Sequence, residues 1–144
     1  MKRQLFIPLA ALLFALVLIH AADTHANEET EIPEYITIRG ERYSTSLTEL
    51  DLSGFAADDL TNTETNSLRY MTSLTELNLM DNGITDLTPL SNLTNLEYLG
   101  LFNNQIRDLT PLANLTSLVT LSIEGNPITN WSPIDHVEQV WGRP

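Results

Sequence analysis

Cysteine is absent from the 144 residues, so the chain has no disulfide framework, no thiol nucleophile and no cysteine-based zinc site. Basic residues are scarce, 7 against 19 acidic ones for a formal net charge of −12. A nucleic-acid binder needs Lys and Arg to neutralise phosphates, so that class of partner is excluded. Histidine is scarcer still: His20 and His25 lie near the N-terminus, and only His136 falls in the later part of the chain. No Ser or Thr stands beside a partner base in a recognisable motif, which argues against an enzyme and implies no cofactor. Neither a hydrophobic tail nor a Leu-Pro-x-Thr-Gly sorting motif closes the chain.

Apolar runs are confined to the start. Lys2 and Arg3 precede an apolar stretch from Leu5 to Ile19, followed by small residues, which reads as a secretory signal over residues 1–26. Thr24-His25-Ala26 is the favoured cleavage triplet, with His20-Ala21-Ala22 as a second candidate. The alternative is an uncleaved membrane anchor, against which Pro8 and the shortness of the unbroken run argue. With the signal removed, the expected product is secreted and has no stable membrane association. Residues 27–34, with Glu28, Glu29, Glu31 and Glu34, form an acidic arm. Residues 35–46 are expected to be a shortened coil capping the rest of the fold, with Arg39-Gly40-Glu41 as its turn and Tyr43 against the core.

From Leu74 onward one 22-residue phrase recurs three times, opening at Leu74, Leu96 and Leu118. The openings read Leu74-Thr-Glu-Leu77-Asn-Leu79, Leu96-Glu-Tyr-Leu99-Gly-Leu101 and Leu118-Val-Thr-Leu121-Ser-Ile123. Each reaches an Asn (82, 104, 126) and an Ile (84, 106, 128), then Leu-Thr-Pro-Leu or, in the last, Trp131-Ser-Pro-Ile134. Self-similarity at this period marks a leucine-rich repeat solenoid of α/β type, spanning 47–139 as units 47–73, 74–95, 96–117 and 118–139. Residues 140–144 are expected to open an incomplete further unit or to form a tail, with Trp131 and Trp141 folding over an edge where copies self-associate weakly.

Leu-x-Leu places both side chains on one face of a short strand. One coil cannot bury that face, but stacked coils can, as a parallel concave sheet. The Asn of each coil sits where the backbone turns away, so Asn82, Asn104 and Asn126 are expected to form a buried ladder that satisfies unpaired backbone groups. Pro89, Pro111 and Pro133 resist regular helix and predict an extended or 3₁₀ return path. The first unit, at 27 residues, lacks the Pro; Phe55 replaces its Asn and Ala57 its Ile, while Thr61-Asn-Thr-Glu64 has capping-box spacing and predicts one short helix.

The phrase Asn-x-Ile-x-Asp-Leu-Thr-Pro-Leu-x-Asn-Leu-Thr resembles the internalin type of bacterial leucine-rich repeat over residues 47–139. The resemblance implies a bacterial surface or secreted protein that recognises another protein, of host or envelope, through its concave face. A structural envelope component tethered by an uncleaved N-terminus is the alternative.

The outward strand positions are free of the repeat's demands. Three columns result: Glu49, Glu76, Tyr98 and Thr120; Asp51, Asn78, Gly100 and Ser122; Ser53, Met80, Phe102 and Glu124. Met80, Tyr98 and Phe102 at the centre, rimmed by Glu49, Asp51, Glu76, Asn78 and Glu124, form the expected partner-binding face. Glu49 and Glu76 are like charges on neighbouring strands; they attract a basic partner or, with Asp51 and Asn78, hold Ca²⁺. His136 occupies the slot of Asn92 and Asn114, a structural place.

Overall fold

The computed structural model describes residues 32–54, 60 and 62–144. The expected signal segment, residues 27–31 of the expected acidic arm, Phe55, Ala57 and Thr61 lie outside the described residues. Among those described, strands β3 (Glu49–Asp51), β4 (Glu76–Asn78), β5 (Tyr98–Gly100), β6 (Thr120–Ser122) and β7 (Gln139–Trp141) form one parallel sheet in that order. Each strand contributes its central residue to the core, with Leu50, Leu77, Leu99, Leu121 and Val140 in register. The return paths carry 3₁₀ turns at Leu68–Tyr70, Thr88–Leu90, Thr110–Leu112 and Ser132–Ile134. In the last three a Pro occupies the first helical turn, where its missing N–H breaks no bond. The one α-helix among the described residues, α1 (Asn62–Ser67), belongs to the first unit. The protein is a leucine-rich repeat solenoid with a parallel concave sheet and a mostly extended or 3₁₀ convex side.

The 3₁₀ turns start from a local device that the phrase encodes. Asp86 Oδ1 accepts the Thr88 N–H at 2.8 Å, Asp108 the Thr110 N–H at 2.9 Å, and Asn130 the Ser132 N–H at 3.2 Å. This pre-bends the chain into the proline turn. At the strand exits, Gly54, Asp81, Asn103 and Gly125 all have positive φ, between 54° and 82°. Asn and Asp are the non-glycine residues that tolerate this region, because their short polar side chains bond locally.

The Asn side chains stitch neighbouring coils. Asn104 Nδ2 donates to Leu79 O at 2.9 Å and Leu101 O at 3.0 Å while its Oδ1 accepts the Ile84 N–H at 2.8 Å. Asn126 repeats this with Leu101 O, Ile123 O and the Ile106 N–H. Asn82 Nδ2 donates to Leu52 O and Met80 O. Its Oδ1 has no partner among the described residues; the first unit's counterpart of Ile84, whose N–H meets Asn104, is Ala57, which lies outside them. Asn82 and Asn104 are buried, at 0% and 5% exposure. Asn126 is only half-buried, against expectation.

Two expectations give way. Residues 35–46 are not a shortened coil but an antiparallel hairpin of β1 (Tyr35–Ile38) and β2 (Glu41–Ser44). Its two-residue loop, Arg39-Gly40, has φ of 53° and 81°. Such a turn matches the strand twist and joins only antiparallel neighbours. Ile36 and Ile38 enter the core, Tyr43 packs on it, and the Arg39 N–H donates to Glu64 Oε1 of α1 at 2.8 Å.

The second correction concerns the end of the chain. Val140 does not open a new unit equivalent to Leu118; it pairs with Leu121 at the centre of β7. The last return path is shorter than the two before it by one three-residue step. Ile134, Val137 and Val140 lie three apart, so the apolar rhythm continues while one turn is missing. Trp141 consequently does not fold over the edge. It stands in the outward column beside Ser122, 64% exposed, whereas Trp131 packs against the core.

Candidate interaction surface

With the register fixed, the outward face is a grid. Its first column runs Glu49, Glu76, Tyr98, Thr120, Gln139 and its second Asp51, Asn78, Gly100, Ser122, Trp141. The ladder continues past the strands, with Gly54 N–H donating to Met80 O, Asp81 N–H to Phe102 O and Asn103 N–H to Glu124 O. Ser53, Met80, Phe102 and Glu124 thus form a third column.

Gly100 is the low point of this grid. A Cβ placed on it would lie 2.8 Å from Asn78 Oδ1, 2.9 Å from Met80 Cε and 3.3 Å from the Tyr98 hydroxyl. Those three side chains therefore lean together across the buried glycine, which explains why Met80 and Tyr98 are only half-exposed. Phe102, at 38% exposure, stands free next to them. Phe102 and Trp141 are the most exposed large apolar groups on the face.

An open hollow of about 450 Å³ lies over β3, β4 and the start of β5, lined by Glu49, Asp51, Glu76, Asn78 and Tyr98 above Leu50 and Leu77. Met80, Phe102 and Glu124 do not line it. Asp51 is oriented by the Ser53 N–H, which donates to Oδ1 at 2.9 Å. That bond, the Ser53 hydroxyl and the Asn78 side chain hold its carboxyl below the usual range, outweighing slight burial. The Met80 N–H donates likewise to Asn78 Oδ1 at 3.2 Å.

Among the described residues, no group of three or more His, Asp or Glu side chains is arranged to hold a metal ion, the carboxylates of the hollow included. His136 lies with Nε2 3.1 Å from Leu115 O on the return path, away from the grid. Gln139 and Trp141 were missing from the expected face because a strict 22-residue count carries Val140 past the strand. The three-residue rhythm through Ile134 and Val137 was the signal that could have found them.

The model of Leucine Rich repeats (2 copies) matches residues 72–114 and 94–136. The solved structure of an internalin (inlF) from Listeria monocytogenes is 33% identical, with a TM-score of 0.59 over 67% of this chain and 28% of the other. Internalin C2 (inlC2) of the same organism is 32% identical, with a TM-score of 0.53 over 67% of this chain and 51% of the other. The chain carries a leucine-rich repeat domain homologous to those of the internalins. A leucine-rich repeat protein of Leptospira interrogans, 20% identical with a TM-score of 0.51 over 66% of this chain and 31% of that one, shares the fold. No curated protein matches the chain. The chain spans about a quarter to a half of the internalins it resembles. Leucine-rich repeat domains of this kind are non-catalytic interaction scaffolds, and the homology supports a general role in protein–protein interaction. No helix among the described residues is long and apolar enough to cross a membrane.

Proposed function

We propose that this is an exported recognition module whose concave face binds another protein, of a host or of the bacterial envelope. The observation that carries the reading is the grouping of Phe102 and Trp141, exposed, with Met80 and Tyr98, half-buried, on a face whose first strand is acidic. Aromatic and Met side chains within a polar rim are the composition of interface centres, and nothing in the repeat requires them there. Exposed hydrophobes scattered singly would need no explanation, but Met80, Tyr98 and Phe102 cluster about Gly100, and Trp141 stands two strands further along the same face. Homology to internalin repeats supports the same class of function.

The test is to immobilise the protein, capture binders from host-cell surface and bacterial envelope fractions in parallel, and repeat the capture with a Tyr98→Ser/Phe102→Ser/Trp141→Ser variant shown to remain folded. A partner lost by the variant supports the concave reading. A partner retained by it moves the site to the convex side or the acidic arm. Mass spectrometry of protein recovered from culture medium should give a start near Asn27; full-length protein found only in membranes would overturn secretion.

A further inference from the structure

The acidic end of the concave face differs in chemistry from its apolar centre and shares Tyr98 with it. Glu49 and Glu76 stand directly opposite each other in the β3–β4 register, at the roughly 4.8 Å spacing of neighbouring strands. Like charges so placed destabilise a sheet. Neither carboxylate takes part in a salt bridge among the described residues, and no cationic residue lines the hollow they share with Asp51. Three of the chain's own arginines are engaged elsewhere: Arg42 lies over the Tyr35 ring, Arg69 bonds Asn66 and Arg143 pairs with Asp135. The next residue in the column is Tyr98, so an aromatic ring closes the hollow where the carboxylates end.

Carboxylates beside an aromatic wall, open to solvent, match one side chain above others. A guanidinium is planar, offers its donors as a fork that fits carboxylate oxygens, and stacks on aromatic faces. The chain already shows the stacking half of that contact, with Arg42 Cζ 3.3 Å from the Tyr35 ring centroid. An open hollow of about 450 Å³ admits such a side chain together with its residual water. We propose that the hollow over β3–β5 receives an arginine side chain of the partner protein, its guanidinium between the Glu49 and Glu76 carboxylates and the Tyr98 ring. The inference rests on the concave-face reading above and names the partner's chemistry at one end of that face. Asp51, held ionised, adds charge from the second column.

The experiment is an NMR titration of the protein with N-acetyl-arginine amide, with the citrulline and lysine analogues as controls. The expected result is saturable shifts at the amides of β3, β4 and Tyr98. Citrulline, the same shape without charge, should bind at least about tenfold more weakly. A Glu49→Gln/Glu76→Gln variant should lose binding to the same extent while remaining folded, since it relieves a repulsion. Asp108→Asn, which removes charge on the return path, should leave binding unchanged. Shifts spread over the whole acidic surface, equal weakening by Asp108→Asn, or equal binding of the lysine analogue would overturn the assignment. If the arginine amide fails to bind while the apolar triple variant still loses its captured partner, this inference falls and the concave reading stands. If the amide saturates the hollow while that partner ignores the triple variant, which lacks the Tyr98 ring, the concave reading and the assignment of the hollow to the partner's arginine both fail.

Discussion

Asn104 holds Ile84 of the preceding coil, its Oδ1 accepting that residue's N–H at 2.8 Å while its Nδ2 serves two carbonyls. Replacing it with Ala leaves three buried backbone groups without this partner. Asn104→Ala should therefore cost about 1–3 kcal/mol, and more than Asn126→Ala, whose half-exposed site admits water. Neighbouring Asn103 is a poor control as Ala, because its φ of 54° would strain any side chain with a Cβ and no local bond. Asn103→Gly should be nearly neutral. Denaturant midpoints measured on the three variants decide the matter, and equal losses at 104 and 126 would contradict the burial argument.

Gly142 tests the corrected end of the solenoid. A Cβ there would lie 2.4 Å from Glu124 Cα and from its N, and the residue's φ is 103°. Backbone cannot move aside as a side chain can, so Gly142→Ala should displace β7 and lower stability by about 1–3 kcal/mol. Trp141 is adjacent, so its fluorescence should shift in the folded state. An unchanged spectrum and midpoint would place the chain end elsewhere.

Gly100→Ala separates the surface from the fold. The atoms it meets are Asn78 Oδ1, Met80 Cε and the Tyr98 hydroxyl, all at the ends of side chains that can swing. Stability should change by no more than about 1 kcal/mol in either direction. Partner affinity should fall, because Met80 and Tyr98 are pushed off the floor they share.

Among the anchors, Phe102→Ser and Trp141→Ser should each lower affinity by about 2 kcal/mol with the melting temperature nearly unchanged. Tyr98→Ser should cost a little stability as well, since that side chain is half-buried. Glu124→Gln, at the rim, should alter association rate and salt dependence more than dissociation. Calorimetry and melting on the same proteins keep lost binding apart from lost structure.

Asp51 and Asp108 should titrate below the ordinary value of 3.8. For Asp51 the chief cause is the Ser53 N–H, and for Asp108 it is the Thr110 hydroxyl, seconded by the Thr110 N–H. A depressed folded value means that their contribution to stability is present in full above the unfolded value. It is lost as pH falls from about 3.8 through the lower folded one. Carboxyl NMR titration reads this directly, and a midpoint at or above the ordinary value for either group would refute it.

The parallel sheet was legible because three near-identical phrases place Leu77, Leu99 and Leu121 in equivalent positions, and the Thr-Pro-Leu step announces its 3₁₀ turn. What escaped was whatever breaks the period. Residues 35–44 have strand alternation in either topology, and only the tight Arg39-Gly40 turn decides for antiparallel. A return path shortened by a whole three-residue step keeps Ile134, Val137 and Val140 in rhythm, so the shift is silent in the apolar pattern and moves Trp141 from edge to face. The left-handed Asp81 and Asn103 look like ordinary polar loop residues until they align with Gly54 and Gly125. At the candidate surface the columns were readable, but the leaning of Met80 and Tyr98 over Gly100 is a packing relation that no column contains.

Every bond that the asparagine ladder makes between coils points towards the N-terminus. Asn82 reaches Leu52, Asn104 reaches Leu79 and Ile84, and Asn126 reaches Leu101 and Ile106. After the last Asn the pattern changes, and the Ile128 N–H turns back to Asn126 O of its own coil at 2.9 Å. A chain that emerges N-terminus first, from a ribosome or an export channel, thus always carries one newest coil whose loop amide waits for an asparagine not yet delivered. Growth should therefore behave as a ratchet in which each arrival locks its predecessor. Disassembly under load should run the other way, each coil yielding only after the one that follows it has let go.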